Sequence, residues 1–254
     1  MHKLAKLYSV FIYIFLYLPI IVLIIYSFNA SKYGATWQGS TLDWYKKLFS
    51  NNLLLTSTKN SFLIATLSAS IATLIGTISA LGLHNYRFKG RKVFSSIVYV
   101  LVISPDIIMG ISLLILFNFM HIKPGFYTLL LAHITLNLPF IIIIVISRLK
   151  TFNKNLIEAA RDLGANEWII FKEIILPLIL PSVISGWLLA FTLSLDDVVI
   201  SFFVTGPNFE VLPLTLLSMA RLGVKPEINA LCSLLFVITL ILIFISHFIF
   251  KRKV

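Results

Sequence analysis

The sequence predicts an all-α, polytopic membrane protein with six transmembrane helices, and three observations lead there. Of its 254 residues, 59% are hydrophobic and only 12% are charged, against about 25% charged in an ordinary soluble domain. Six stretches stay apolar over the roughly 20 residues that a helix needs to cross about 30 Å of hydrocarbon. The ten-residue alternation of a membrane β-barrel is missing. A water-soluble globular domain is therefore excluded, and so is disorder, because this chain has too much apolar surface to leave unburied. The single cysteine, Cys232, has no partner for an internal disulfide.

The first span is expected at 8–28. It follows Lys3 and Lys6, yet it is too long for a signal-peptide core and lacks a small-x-small site before Ser27, so it is read as retained. The loop 29–60 carries Trp37, Trp44 and Tyr45, which favour a short helix lying on the bilayer surface. The second span, 61–83, has a stripe of small residues: Ala65, Ala69, Ala72, Gly76 and Ala80. Such stripes let backbones approach closely in lipid. The third, 93–119, contains Ser104-Pro105-Asp106. That triplet also reads as a helix start, with serine as cap, proline in the first turn and a carboxylate at the positive end of the dipole.

The fourth span, 126–147, holds His133, expected to be a hydrogen-bonded packing residue. The fifth, 178–204, has a ladder of Ser182, Gly186, Ala190 and Ser194 that suits internal packing or a partner chain equally well. Within it, Ser194-x-x-Asp197 can be read as a cap. The segment 205–228, with Gly206-Pro207 and Pro213, should form a loop and a short helix before the sixth span at 229–250. The whole of 1–254 reads as a single transmembrane domain.

Basic residues set the orientation. With the N-terminus inside, 14 of the 21 Lys and Arg residues fall on the inner side and 7 on the other. Both termini are therefore expected in the cytoplasm. The net charge of +11 then follows from this asymmetry and calls for no nucleic acid.

The cytoplasmic loop 148–177 is the most informative connection. Asn155 can cap a helix that places Glu158 in its first turn, and Ala159 and Ala160 favour its continuation. Gly164 interrupts it. A second amphipathic segment sets Trp168, Ile169, Phe171 and Ile175 beside Glu167, Lys172 and Glu173, and Pro177 introduces the next span. Two short helices meeting at a glycine make either a compact docking knob or an amphipathic hairpin resting on the bilayer.

Glu158-Ala159-Ala160, then Gly164, then Ile174-Ile175-Leu176-Pro177 resembles the EAA motif of ABC-importer permeases. The likeness extends to Ser27-Phe28-Asn29, to the stretch from Trp37 to Tyr45, to Ser104-Pro105-Asp106, to Ser194-Leu195-Asp196-Asp197 and to Thr205-Gly206-Pro207. Within that family the chain most resembles the permeases of spermidine/putrescine importers; permeases for ferric iron or thiamine share much of the same framework. The resemblance implies a type I importer-permease fold in the bacterial inner membrane, paired with a homologous second permease. It implies two copies of a cytoplasmic ATP-binding subunit and an external polyamine-binding protein. It also implies that the loop couples to the ATPase through Glu158, Ala159, Ala160, Gly164, Ala165, Trp168, Phe171, Lys172 and Pro177.

The residues agree that energy comes from elsewhere. The chain has no Gly-x-x-x-x-Gly-Lys-[Ser/Thr] loop to cradle phosphates and no His-Glu-x-x-His zinc motif. No catalytic residues and no metal ligands are expected, and ATP and Mg would be bound by the partner ATPase. Only Asp106, Asp196 and Asp197 are carboxylates within the spans. A charge near the bilayer centre costs about 2.5–3.5 kcal/mol, so these three are candidates to line a path for a cationic cargo. A proton-coupled carrier or channel would use the same three residues, but would have no need of a docking loop.

Overall fold

The computed structural model describes residues 2–32, 36–151, 153, 155–221 and 226–251. Among them, regular structure is helical, apart from one antiparallel bridge between Asn29 and Ser40. The helices are α1 (His2–Ser27), α2 (Asp43–Ser50), α3 (Asn52–Asn85), α4 (Arg91–Ile103), α5 (Asp106–Phe119) and α6 (Phe126–Lys150). They continue with α7 (Asn155–Asp162), α8 (Glu167–Asp196), α9 (Val199–Val204), α10 (Leu212–Arg221) and α11 (Pro226–Lys251).

Four described helices are long and apolar enough to cross a membrane: Tyr8–Ser27 within α1, α3, α6 and α8. α4 and α5 together make a fifth candidate, bent by 114° at their break. The last stretch contributes the shorter apolar helix Pro226–Ile241. This is the all-helical membrane architecture read from the sequence, and it is consistent with six apolar stretches. The short helices expected after the first and fifth spans are α2 and α10.

One compact unit comprises 1–56 and 215–254, where α11 packs against α1 and α2. Its polar centre is Asn29, whose Oδ1 accepts from the N–H of Ser31 (3.1 Å) and of Gln38 (3.0 Å). The buried Trp44 ring donates to the Asn29 carbonyl at 2.7 Å, and Ser27 and Tyr45 share a hydroxyl bond of 2.7 Å. The Ser-Phe-Asn turn and the Trp-Tyr helix thus satisfy each other's buried polar groups.

The second unit, 57–214, is built around α6, which packs against α8, α4, α9 and α5. The small stripe of α3 lies in this core, with Ala65, Ala69, Ala72 and Ala80 fully buried. The ladder on α8 also packs within the chain, for Gly186 faces Ile141 of α6 at 3.7 Å from where a Cβ would be. Gly76 is tighter: a Cβ there would lie 2.9 Å from Cγ2 of Ile141 and 3.1 Å from its Cβ. Gly76→Val should therefore destabilise the chain by about 1–3 kcal/mol through overpacking. Gly82→Val meets nothing within 4 Å and is the control. Thermal unfolding of the two purified variants reads the difference.

Four boundaries differ from the sequence reading, the first being the start of α3 at Asn52, nine residues before the expected second span. The third stretch is two helices, because Pro105 cannot continue α4; Ser104 turns its hydroxyl back to the Val100 carbonyl (2.8 Å) instead of capping α5. The fifth stretch breaks at Asp197, and it is the Asp197 carboxylate that caps α9. The helix that contains Pro177 starts ten residues earlier, at Glu167. It passes the proline by winding Ile170–Ile175 as a π-turn, with the Leu176 N–H donating to the Phe171 carbonyl. A wider turn relieves the clash of a proline ring with the carbonyl four residues back.

Candidate functional site

The loop 148–177 folds from local signals. Asn155 lies inside α7, and the side chain of Asn153 accepts its N–H at 3.1 Å, so the capping role falls two residues earlier than expected. α7 ends in a Schellman turn: Ala165 N–H donates to the Ala160 carbonyl (3.0 Å) and Gly164 N–H to the Arg161 carbonyl (2.9 Å). Gly164 takes φ +82°, the left-handed conformation that costs a residue with a Cβ about 1–2 kcal/mol. Asn166 then caps α8, its Oδ1 accepting the Ile169 N–H at 2.9 Å.

The two arms of this turn are clasped by Arg161, whose Nη2 and Nε lie 2.9 and 3.0 Å from Oε1 of Glu167. Both partners are exposed, so the pair fixes direction more than it adds stability. Leu163 and Trp168 are 89% and 68% exposed at the tip, and the Trp168 ring lies 5.9 Å from that of Phe171. Glu158, Ala159 and Lys172 are exposed, Ala160, Ala165 and Phe171 half-buried, and Pro177 exposed within α8. The turn thus holds two large apolar side chains uncovered on a backbone of fixed geometry.

A second constellation lies inside the unit, where α3, α6, α8 and α9 meet. His133, only 1% exposed, bonds Ser194 through Nδ1, and through Nε2 it reaches Ser201 Oγ at 3.1 Å and Asp197 Oδ2 at 3.5 Å. Ser194 also bonds Ser68 at 2.9 Å, and Asn137 donates to Ser68 at 3.5 Å. Asp197, its side chain 6% exposed, accepts from the N–H of Ile200 (3.2 Å) and of Ser201 (2.7 Å). The broken end of α8 is thereby tied to α6 by buried hydrogen bonds, each expensive to leave unmade.

The three carboxylates are not equivalent. Asp197 is enclosed and committed to the α9 cap and to His133. Asp196, its neighbour, is exposed at the end of α8, and Asp106 is exposed in the first turn of α5. Asp106 makes no ion pair among the described residues. His133 is the hydrogen-bonded packing residue expected. The sequence reading missed the Arg161–Glu167 clasp and the roles of Ser68, Asn137 and Ser201. The signal within one element was partial: His133 and Asn137 are four apart on α6.

Residues 72–254 match the family model described as binding-protein-dependent transport system inner membrane component. The chain is 50% identical over 242 residues to the spermidine/putrescine transport system permease protein PotC of Escherichia coli K12, covering 95% of this chain and 92% of that protein. The protein of the same name from Haemophilus influenzae is 46% identical, at 95% and 94% coverage. The putrescine transport system permease protein PotI of Escherichia coli K12 is 40% identical, at 94% and 87%. Among solved structures, a chain of a bacterial ABC transporter that imports alginate aligns with a TM-score of 0.74 at 19% identity, across 98% of this chain and 95% of that one. A chain of the inward-facing MetNI methionine transporter aligns at 0.66 and 20% identity, across 79% and 95%. At those identities the two structures speak for a common fold.

Proposed function

The chain belongs to the binding-protein-dependent transport system inner membrane components, and from that premise we propose that it is the permease subunit of an ATP-driven importer of spermidine and putrescine. The observation that carries the cargo is the 50% identity sustained over 95% of the chain to a permease named for those two polyamines. It is a transport subunit and not an enzyme, as its relatives are. As an inner-membrane component it works in a system with a binding protein. In our reading, a homologous second permease completes the passage, and two ATP-binding subunits hold ATP and Mg in the cytoplasm. An external binding protein delivers the polyamine. The 14 to 7 distribution of basic residues supports placing both termini and the loop 148–177 in the cytoplasm.

The geometry supports a division of labour. Leu163, Trp168 and their clasped turn form the knob that enters the ATPase, with Glu158, Ala159, Ala160, Gly164, Ala165, Phe171, Lys172 and Pro177 shaping its frame. α8 runs unbroken for 30 residues from that knob to Asp196, about 45 Å at 1.5 Å per residue. A push at Glu167 is therefore carried to the break at Asp197. The exposed carboxylates Asp196, at the end of α8, and Asp106, in the first turn of α5, suit the ammonium groups of a polyamine. Asp197 holds the break itself.

Labelled spermidine uptake tests the reading. In a bacterium lacking polyamine uptake, the chain with its permease, ATPase and binding-protein partners should restore ATP-dependent uptake. The same set without this chain should not. An assembled, ATP-hydrolysing complex that moves no polyamine would refute the cargo.

A further inference from the structure

We propose that a cavity at the N-terminal end of α4 binds the phosphodiester headgroup of an anionic membrane phospholipid. The inference goes beyond the transport reading and relies on it only for the chain's place in a membrane. The cavity, about 110 Å³, lies between α3, α4 and α6, room enough for a phosphate group. Its floor is apolar, a buried cluster of Leu83, Val98 and Ile142. Its walls carry Arg91, Lys150 and His84 with the hydroxyls of Ser95, Ser147 and Tyr99, and no carboxylate.

Every one of those wall groups suits an anion with several acceptor oxygens. Arg91 is half-buried against the cavity, and neither it nor Lys150 forms an ion pair among the described residues. A guanidinium facing a phosphate makes parallel charge-assisted bonds. Arg91 is also the first of the 13 residues of α4, which follow the N-cap Gly90 (φ +94°) with no side-chain cap. The positive dipole end of that first turn favours an anion near it.

A lipid fits better than a free anion because the surroundings are those of a membrane interface. On α4, Tyr99 of the cavity wall and Ile103, one turn further on, are 53% and 80% exposed, apolar surface next to the cavity for an acyl chain. Tyr99 on the wall is an interfacial side chain by chemistry. Arg87, Lys89 and Lys92 surround an adjoining open groove that shares Arg91. Basic clusters of this kind concentrate anionic lipid at the surface, and the cavity then provides a fixed seat for one headgroup.

The test is native mass spectrometry of the assembled transporter released from nanodiscs of equimolar phosphatidylglycerol and phosphatidylcholine. The unaltered complex should retain phosphatidylglycerol in preference. Arg91→Gln with Lys150→Gln should lower that retention about 25-fold, from about fivefold per cation near a membrane surface. Arg87→Gln with Lys89→Gln, which neutralises cations outside the cavity, should lower it clearly less than the cavity pair does. Ser95→Leu fills the cavity without altering charge and should also lower retention, so it decides the matter if the doubly neutralised chain fails to assemble. Retention unchanged in the cavity variants, or lost equally in the loop pair, overturns the proposal. Displacement of the lipid by inorganic phosphate at constant ionic strength would assign the cavity to a free anion and overturn it too. None of these readouts depends on the cargo, so this inference and the transport reading fail separately.

Discussion

Gly164→Val should lower spermidine uptake at least tenfold while the chain still inserts and assembles, and Gly164→Asn should keep most of it. The reason is backbone conformation and not space. Nothing lies within 4 Å of a Cβ built at Gly164, but its φ is +82°. A residue with a Cβ costs about 1–2 kcal/mol there, and asparagine is among the few that tolerate it. The turn has little to resist that cost: one exposed ion pair, two backbone bonds and the Asn166 cap, each worth about 1 kcal/mol or less net. A β-branched residue will therefore redirect the chain at the turn instead of being strained within it. Leu163 and Trp168 then no longer present one surface, and ATP hydrolysis continues without moving cargo. Uptake and ATPase rates measured on the same vesicles read this directly. Undiminished uptake by the valine variant would refute the role of the loop's shape. Equal losses for asparagine and valine would show that side-chain bulk at the docking surface is at fault.

The apolar stretches were legible because length and hydropathy alone decide whether a helix can cross a bilayer; α1 and α6 follow the sequence pattern closely, while α3 begins at Asn52, nine residues before the expected span. The breaks were legible only in part. Ser104-Pro105-Asp106 announces an interruption, since proline cannot continue α4, but which residue closes one helix and which opens the next depends on the path of the chain. Ser104 satisfies α4, and Pro105 occupies the position before α5. The loop glycine was legible because a left-handed residue after a short helix has few substitutes. The continuation of α8 through Pro177 was not, since the sequence rule stops a helix at proline, and only the π-turn of Ile170–Ile175 accommodates it. The polar cluster around His133 joins residues up to 126 positions apart, a pairing that no local pattern contains.

That cluster separates two carboxylates which are adjacent in sequence. Asp197→Ala removes the acceptor for the Ile200 and Ser201 N–H groups and the carboxylate 3.5 Å from His133, which keeps the Ser194 and Ser201 hydroxyls as partners. Losing a helix cap costs about 1 kcal/mol, and orphaning a buried polar group costs about 1–3 more. Asp197→Ala should therefore lower the melting temperature of the purified chain and reduce the amount of assembled complex. Asp197→Asn keeps an oxygen acceptor and should lose less. Asp196→Asn, at an exposed position, should leave melting and assembly unchanged and instead raise the spermidine concentration needed for half-maximal uptake. Substituting both together would merge the two effects, so single variants are required. Equal melting temperatures for Asp197→Ala and the unaltered chain would remove Asp197 from the framework of the break. Unchanged spermidine dependence in Asp196→Asn would remove Asp196 from the path of the cargo. The two outcomes are independent because the Asp197 carboxylate is consumed by hydrogen bonds of the fold and the exposed Asp196 carboxylate is not.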